Sequence, residues 1–250
     1  MSGAVAAQWL VVGGYLIAAV LLLLRNRRVE LVAVSLASLA WCLHLLIIYR
    51  RWQEIGQLPI VTRYEDMTVD ALAVAGVYLV IQWVKPDIRL AGRYVLPLAA
   101  FAVGAALWYN LGSFPFSPAL RTNWLLIHSQ LNSLALGFST LTAAVILLPD
   151  KAVITNKLMA WTFFLWSAMV AAGSYWASIA WGRYWGWDPI ESWSLATVMA
   201  YAFVIHLRLR PAWRQGSRTL IALLPYLMLL FTTYGLLMIR GSIHSQYLFN

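Results

Sequence analysis

The chain has 250 residues, 62% of them hydrophobic and 11% charged, with a formal net charge of +9. That is more apolar surface than one soluble core buries, which excludes an ordinary soluble domain and predicts an all-α integral membrane protein. The basic residues are scattered among short segments between apolar runs, so the positive balance reads as membrane topology and not as a nucleic-acid patch.

Apolar runs fall at 7–24, 31–48, 69–84, 94–108, 131–148, 158–179, 193–207 and 219–239. Each is near the ~20 residues a helix needs to cross a bilayer. About eight transmembrane helices in a single polytopic domain, 1–250, are expected, with no internal repeat and no separate soluble domain. The first run lacks the basic flank of a cleavable signal peptide and is read as a span. Cys42, the single cysteine, lies in the second run, so the chain carries neither a disulfide framework nor a CxxC pair. Between the second and third runs, RRWQEIGQLPIVTRYEDM places Glu54, Glu65 and Asp66 among apolar residues. Two readings stay open for it: a segment folded onto the membrane surface, or a solvated connector.

With the N-terminus outside, twelve of the eighteen Lys and Arg residues fall in inner segments. The other six, Arg50, Arg51, Arg63, Arg121, Arg183 and Arg240, fall outside. This assigns both termini and the stretch 175–195 to the non-cytoplasmic face. That stretch, YWASIAWGRYWGWDPIESWSL, holds Trp176, Trp181, Trp185, Trp187 and Trp193, five of the fourteen tryptophans, and is read as an external loop. Indole faces stack on flat apolar ligands and glycines let a backbone approach them, so the stretch suggests a ligand platform. An interfacial aromatic belt is the alternative. Asp188, Pro189 and Glu191 match a helix-opening capping box, which gives both carboxylates a structural reading beside any chemical one.

Of the four histidines, His128 precedes the fifth run and His244 follows the eighth, on the same face as the tryptophans. Each alone suits hydrogen-bonded packing as well as ligation. Together, beside an aromatic shelf, they suit the two axial positions of a haem iron, with Arg121, Arg183 and Arg240 available to propionates. Zinc would want about four clustered ligands, which this face does not offer. His206 lies roughly 25 Å further along the seventh helix, at ~1.5 Å per residue. It suits either a site within the membrane or a helix anchor beside Arg208. His44, in the second run, is read as a packed core histidine.

The segment WASIAWGRYWGWDPIESWSL, 176–195, resembles the tryptophan-rich WWD signature of CcsA- or ResC-type proteins of the system II cytochrome c synthase. AYAFVIHLRLR, 200–210, is similar to the helix that carries that family's transmembrane histidine, which would be His206. RGSIHSQY, 240–247, resembles the segment with the second outer histidine, His244, and His128 in WLLIHSQLNSLALG takes the place of the first. RWQEIGQLPIVTRYED, 51–66, is similar to an upstream loop of the family. The resemblance runs from about residue 50 to the end. Ile190 stands where the family usually has lysine, and Ser242-Ile243 replace the usual leucine before the histidine; both change local detail of the motif.

The resemblance implies a haem-handling subunit of a holocytochrome c synthase of haem lyase type, in a bacterial cytoplasmic or thylakoid-type membrane. Haem b would be held outside by His128 and His244, on Trp176, Trp181, Trp185, Trp187, Asp188 and Trp193. His206 would belong to a transmembrane haem site completed by a CcsB- or ResB-like partner. Apocytochrome c would bring the CxxCH thiols that add to the haem vinyl groups. The competing readings are CcmC-like delivery of haem to a chaperone, a bis-histidine membrane cytochrome that carries electrons, and a haem transporter.

Overall fold

The computed structural model describes residues 2–109, 120–210 and 221–236. The chain divides into two compact units, Met1–Phe114 and Pro115–Asn250. Unit 1 contains α1 (Ser2–Leu21), α2 (Arg27–Ile55), α3 (Arg63–Val84) and α4 (Gly92–Ala106). Unit 2 contains α5 (Asn123–Ile146), α6 (Ala152–Trp181), α7 (Pro189–Leu209) and α8 (Leu224–Leu230), the last continuing into a π-helical turn, Phe231–Gly235. All regular structure among the described residues is helical, and a helix satisfies within itself the backbone groups that lipid cannot bond.

Over the described residues each expected apolar run lies largely on helix, in the expected order. Among those residues six segments are long and apolar enough to cross a membrane: Gly3–Leu24, Arg27–Ile55, Arg63–Val84, Pro86–Ala106, Ala152–Trp181 and Pro189–Leu209. Helix α5 has 24 residues and no charged side chain, but Ser, Thr, Asn and Gln lower its hydropathy. Ile221–Gly235 is a shorter apolar helix among the described residues. Large apolar side chains stand exposed on the helices, among them Trp83, Phe101 and Val153, as surfaces that face hydrocarbon do.

In unit 1, α1 packs on α2 and α4, and α3 on α2 and α4. Small residues let α1 and α2 approach closely: Ala33, Ala37 and Ala40 are buried, and a Cβ on Gly14 would come within 2.8 Å of the Ala40 Cβ. His44 follows on the same face, fully buried, with the Tyr15 hydroxyl 3.3 Å from its Nδ1.

The segment between the second and third runs, open to reading as a membrane-surface segment or as a solvated connector, is mostly helix. Helix α2 runs on to Ile55, and α3 opens already at Arg63. The reason is a closed polar arrangement. Thr62 accepts from Glu65 N at 3.2 Å, Glu65 accepts from Thr62 N at 3.2 Å, and Arg51 donates to Glu65 at 3.0 Å. A reciprocal cap satisfies the donors that open a helix, and the guanidinium neutralises a carboxylate that is almost wholly buried.

In unit 2, α5 packs chiefly on α6, while α7 packs on both α6 and α8. Hydroxyl and indole groups tie these helices together: Trp166 donates to the Ser194 carbonyl at 3.1 Å, Ser139 bonds Tyr201, and Thr197 meets Thr232 at 3.3 Å. Such bonds replace the hydrophobic drive that lipid does not supply between helices.

Candidate haem-handling site

The tryptophan stretch is three pieces. Residues 175–181 are the last turns of α6, 182–188 are the loop proper, and Pro189 opens α7. Gly182 ends α6 with φ +73°, a conformation open to glycine at no steric cost, and its N–H returns to the Ser178 carbonyl. Glu191 closes the other end by accepting from Gly186 N at 2.7 Å and Asp188 N at 3.1 Å, while Asp188 accepts from Ile190 N at 2.9 Å. The capping box anticipated from the sequence is therefore what both carboxylates build.

Trp176 and Trp181 accordingly stand on helix α6, and only Trp185 and Trp187 belong to the loop. Trp176 is buried, and its ring lies 4.9 Å from that of Trp181. Trp185 and Trp187 meet edge to face at 5.9 Å. Trp187 is 71% exposed although its φ is +57°, a left-handed conformation that bulky side chains avoid. Trp193, on α7, packs on Phe231 at 4.9 Å.

His128 is the sixth residue of α5, inside the helix and not ahead of it. Its ring reaches α6: Nδ1 donates to the Met169 carbonyl at 2.9 Å, and the ring stacks on Trp176 at 6.1 Å with 24° between planes. A carbonyl only accepts, so Nδ1 carries the hydrogen and the basic lone pair is on Nε2. A carbonyl accepting from one ring nitrogen is a usual way in which a metal-binding imidazole is oriented. Space for the ring comes from Gly173, where a Cβ would fall 2.6 Å from Nδ1.

The aromatic surface extends beyond the tryptophans. Trp124 of α5 meets Tyr175 of α6 at 4.5 Å, Tyr175 meets Tyr184 of the loop at 6.3 Å, and Ser174 donates to the Tyr184 carbonyl at 2.8 Å. The start of α5, the end of α6 and the loop thus form one aromatic edge. Sequence reasoning missed Trp124, Tyr175, Tyr184, Met169 and Gly173; the Ala-Ala-Gly-Ser run at 171–174 was the available signal of a close approach.

His206 lies at the far end of unit 2. It is exposed on α7, with Nδ1 bonded to its own helix at Ala202, 2.9 Å away. Two residues on, Arg208 donates to Asn156 at the start of α6, at 2.6 Å. The twenty residues of α6 from Asn156 to Trp176 separate these ends by roughly 30 Å. His128 and His206 are therefore two places, not one. His244 and Arg240 lie outside the described residues.

A family model described as cytochrome C assembly protein matches residues 60–244, most of the chain and all of this arrangement. The chain belongs to the cytochrome C assembly protein family. Among curated relatives it is similar to the cytochrome c biogenesis protein CcsA of Chlamydomonas reinhardtii, 25% identical over 91% of this chain and 70% of that protein. CcsA of Parasynechococcus marenigrum is 24% identical over 85% of this chain and 84% of its own length. CcsA of Heterosigma akashiwo reaches 27% over 67% and 70%. The resemblance to the CcsA type stands, and with it a role in cytochrome c biogenesis at a membrane.

Proposed function

We propose that unit 2 holds haem on the non-cytoplasmic face and presents it for covalent attachment to an apocytochrome c. The observation that carries this reading is His128: its Nδ1–H is given to the Met169 carbonyl and its ring is stacked on Trp176, at the edge of an aromatic surface. The residues fit the group. Gly173 leaves the space a Cβ would fill, the imidazole is oriented as a metal ligand is, and the indoles supply apolar walls. Trp187 supports the same reading, because a strained, exposed indole costs roughly 1–2 kcal/mol and is retained where it serves a ligand.

On this reading His128 and His244 are the axial ligands, and Trp176, Trp181, Trp185, Trp187 and Trp193 wall the macrocycle, with Asp188 shaping the loop. His206 belongs to an inner haem site whose second ligand comes from a CcsB- or ResB-like partner. The termini and the loop lie outside, in a bacterial cytoplasmic or thylakoid-type membrane. Haem b brings the iron and two vinyl groups. Each CxxCH thiol adds across a vinyl double bond: sulfur bonds one carbon and a proton goes to its neighbour, so the addition needs no oxidant.

The test is the absorption spectrum of the detergent-purified chain, oxidised and reduced, beside His128→Ala and His244→Ala. Low-spin bands that fade in both variants and return with added imidazole are expected. A spectrum unchanged by both substitutions rules out the outer pair.

A further inference from the structure

Of the six arginines the sequence assigns to the outer face, Arg121, Arg183 and Arg240 are the candidates for a carboxylate, and the structure separates them. Arg240 lies outside the described residues, and Arg121 is already engaged. Arg183 is exposed in the loop and makes no hydrogen bond or ion pair among the described residues, unlike Arg51, Arg89 and Arg208. Nor does it trail into solvent. Its guanidinium lies across the loop at Gly186, where a Cβ would fall 2.6 Å from Cζ and from one terminal nitrogen. Gly186 is itself held, because its N–H is bonded to Glu191.

The loop's two carboxylates, Asp188 and Glu191, serve backbone N–H groups, and neither forms an ion pair with Arg183. A cation is therefore laid over a pinned glycine, beside Trp185 and Trp187, with its charge uncompensated by the loop. A planar fork of donors in that position suits a carboxylate carried on the rim of a flat apolar ligand.

We propose that Arg183, seated over Gly186, is the carboxylate anchor of the aromatic platform and pairs with a propionate of the porphyrin. This rests on the haem-holding reading and adds to it which residue fixes the macrocycle's orientation. The anchor acts without the iron, so it is testable apart from axial ligation.

The experiment is quenching of tryptophan fluorescence in the full-length chain in detergent, by metal-free protoporphyrin IX and by its dimethyl ester. The wild-type chain is expected to bind the diacid roughly tenfold more tightly than the ester, as a charged hydrogen bond at an exposed site contributes. Arg183→Ala is expected to bring the two to parity while leaving ester binding unchanged, and Arg183→Lys to retain part of the preference. Gly186→Ala, which displaces the guanidinium, is expected to behave as Arg183→Ala does. An undiminished preference for the diacid in Arg183→Ala overturns the anchor and leaves the haem-holding reading intact. Equal loss of both porphyrins in that variant also overturns it, since the residue then shapes the loop and does not select carboxylate. A wild-type chain that binds neither porphyrin overturns the anchor and the platform together.

Discussion

His44 and His128 are both histidines on long helices, yet the two units hold them in opposite ways. In unit 1 the His44 ring is fully enclosed behind small residues and meets the Tyr15 hydroxyl, and elsewhere in the unit Arg51 pairs with Glu65 and Arg89 with Glu30. In unit 2 the His128 ring is half-buried, fixed by a backbone carbonyl at one nitrogen, and stacked on Trp176. Degree of burial alone therefore does not assign a role to either histidine. On the proposed reading it is the seat of His128 beside the tryptophan stretch that makes it the haem ligand and leaves His44 as packing.

The sharpest way to break this contrast is Gly173→Ala. The added Cβ would lie 2.6 Å from His128 Nδ1, so the ring must leave the Met169 carbonyl. Loss of the low-spin haem bands as complete as in His128→Ala is expected, although no ligand is removed. Retention of full bands would show that the ring's seat is not what matters. On the other side, Glu65→Ala strands a partly buried guanidinium and removes a cap. A loss of about 3 kcal/mol in stability is expected with haem bands intact, read from thermal unfolding in detergent beside the spectrum.

His44→Ala should cost about 2 kcal/mol through the cavity it leaves, and again leave the haem spectrum unchanged. Loss of bands in that variant would move the haem-binding histidine into unit 1. The smallest effect expected is for Trp187→Gly. Relief of the left-handed backbone should raise stability by about 1 kcal/mol, while haem affinity falls. A gain in both would deny the strained indole a functional reason.

Part of this was legible in the residues alone. The Asp188-Pro189-Glu191 spacing announces the start of α7, because a capping box is a local arrangement written within four positions. The onset of α3 at Arg63 was not legible, although its cap is also local. Its charged first turn reads as solvent-exposed until Arg51, fourteen residues earlier, is brought against Glu65. Likewise Trp176 and Trp181 read as loop residues because polar and glycine positions interrupt the apolar run, whereas the helix continues through them to Trp181.

The membrane class, the order of the helical runs, the family and the tryptophan-histidine inventory are all readable from the residues in order. These follow from composition, apolar run length and motif spacing, which are properties of the chain taken in order. Packing alone shows that His128 is seated by Gly173 and Met169 and that Arg183 lies over Gly186, whereas the distance of His206 from the tryptophan stretch is already a count of residues along α7. The seat of His128 depends on a contact between separate helices, across the 41 residues from His128 to Met169. The placement of Arg183 depends on the backbone path of the loop, which spacing along the chain does not specify.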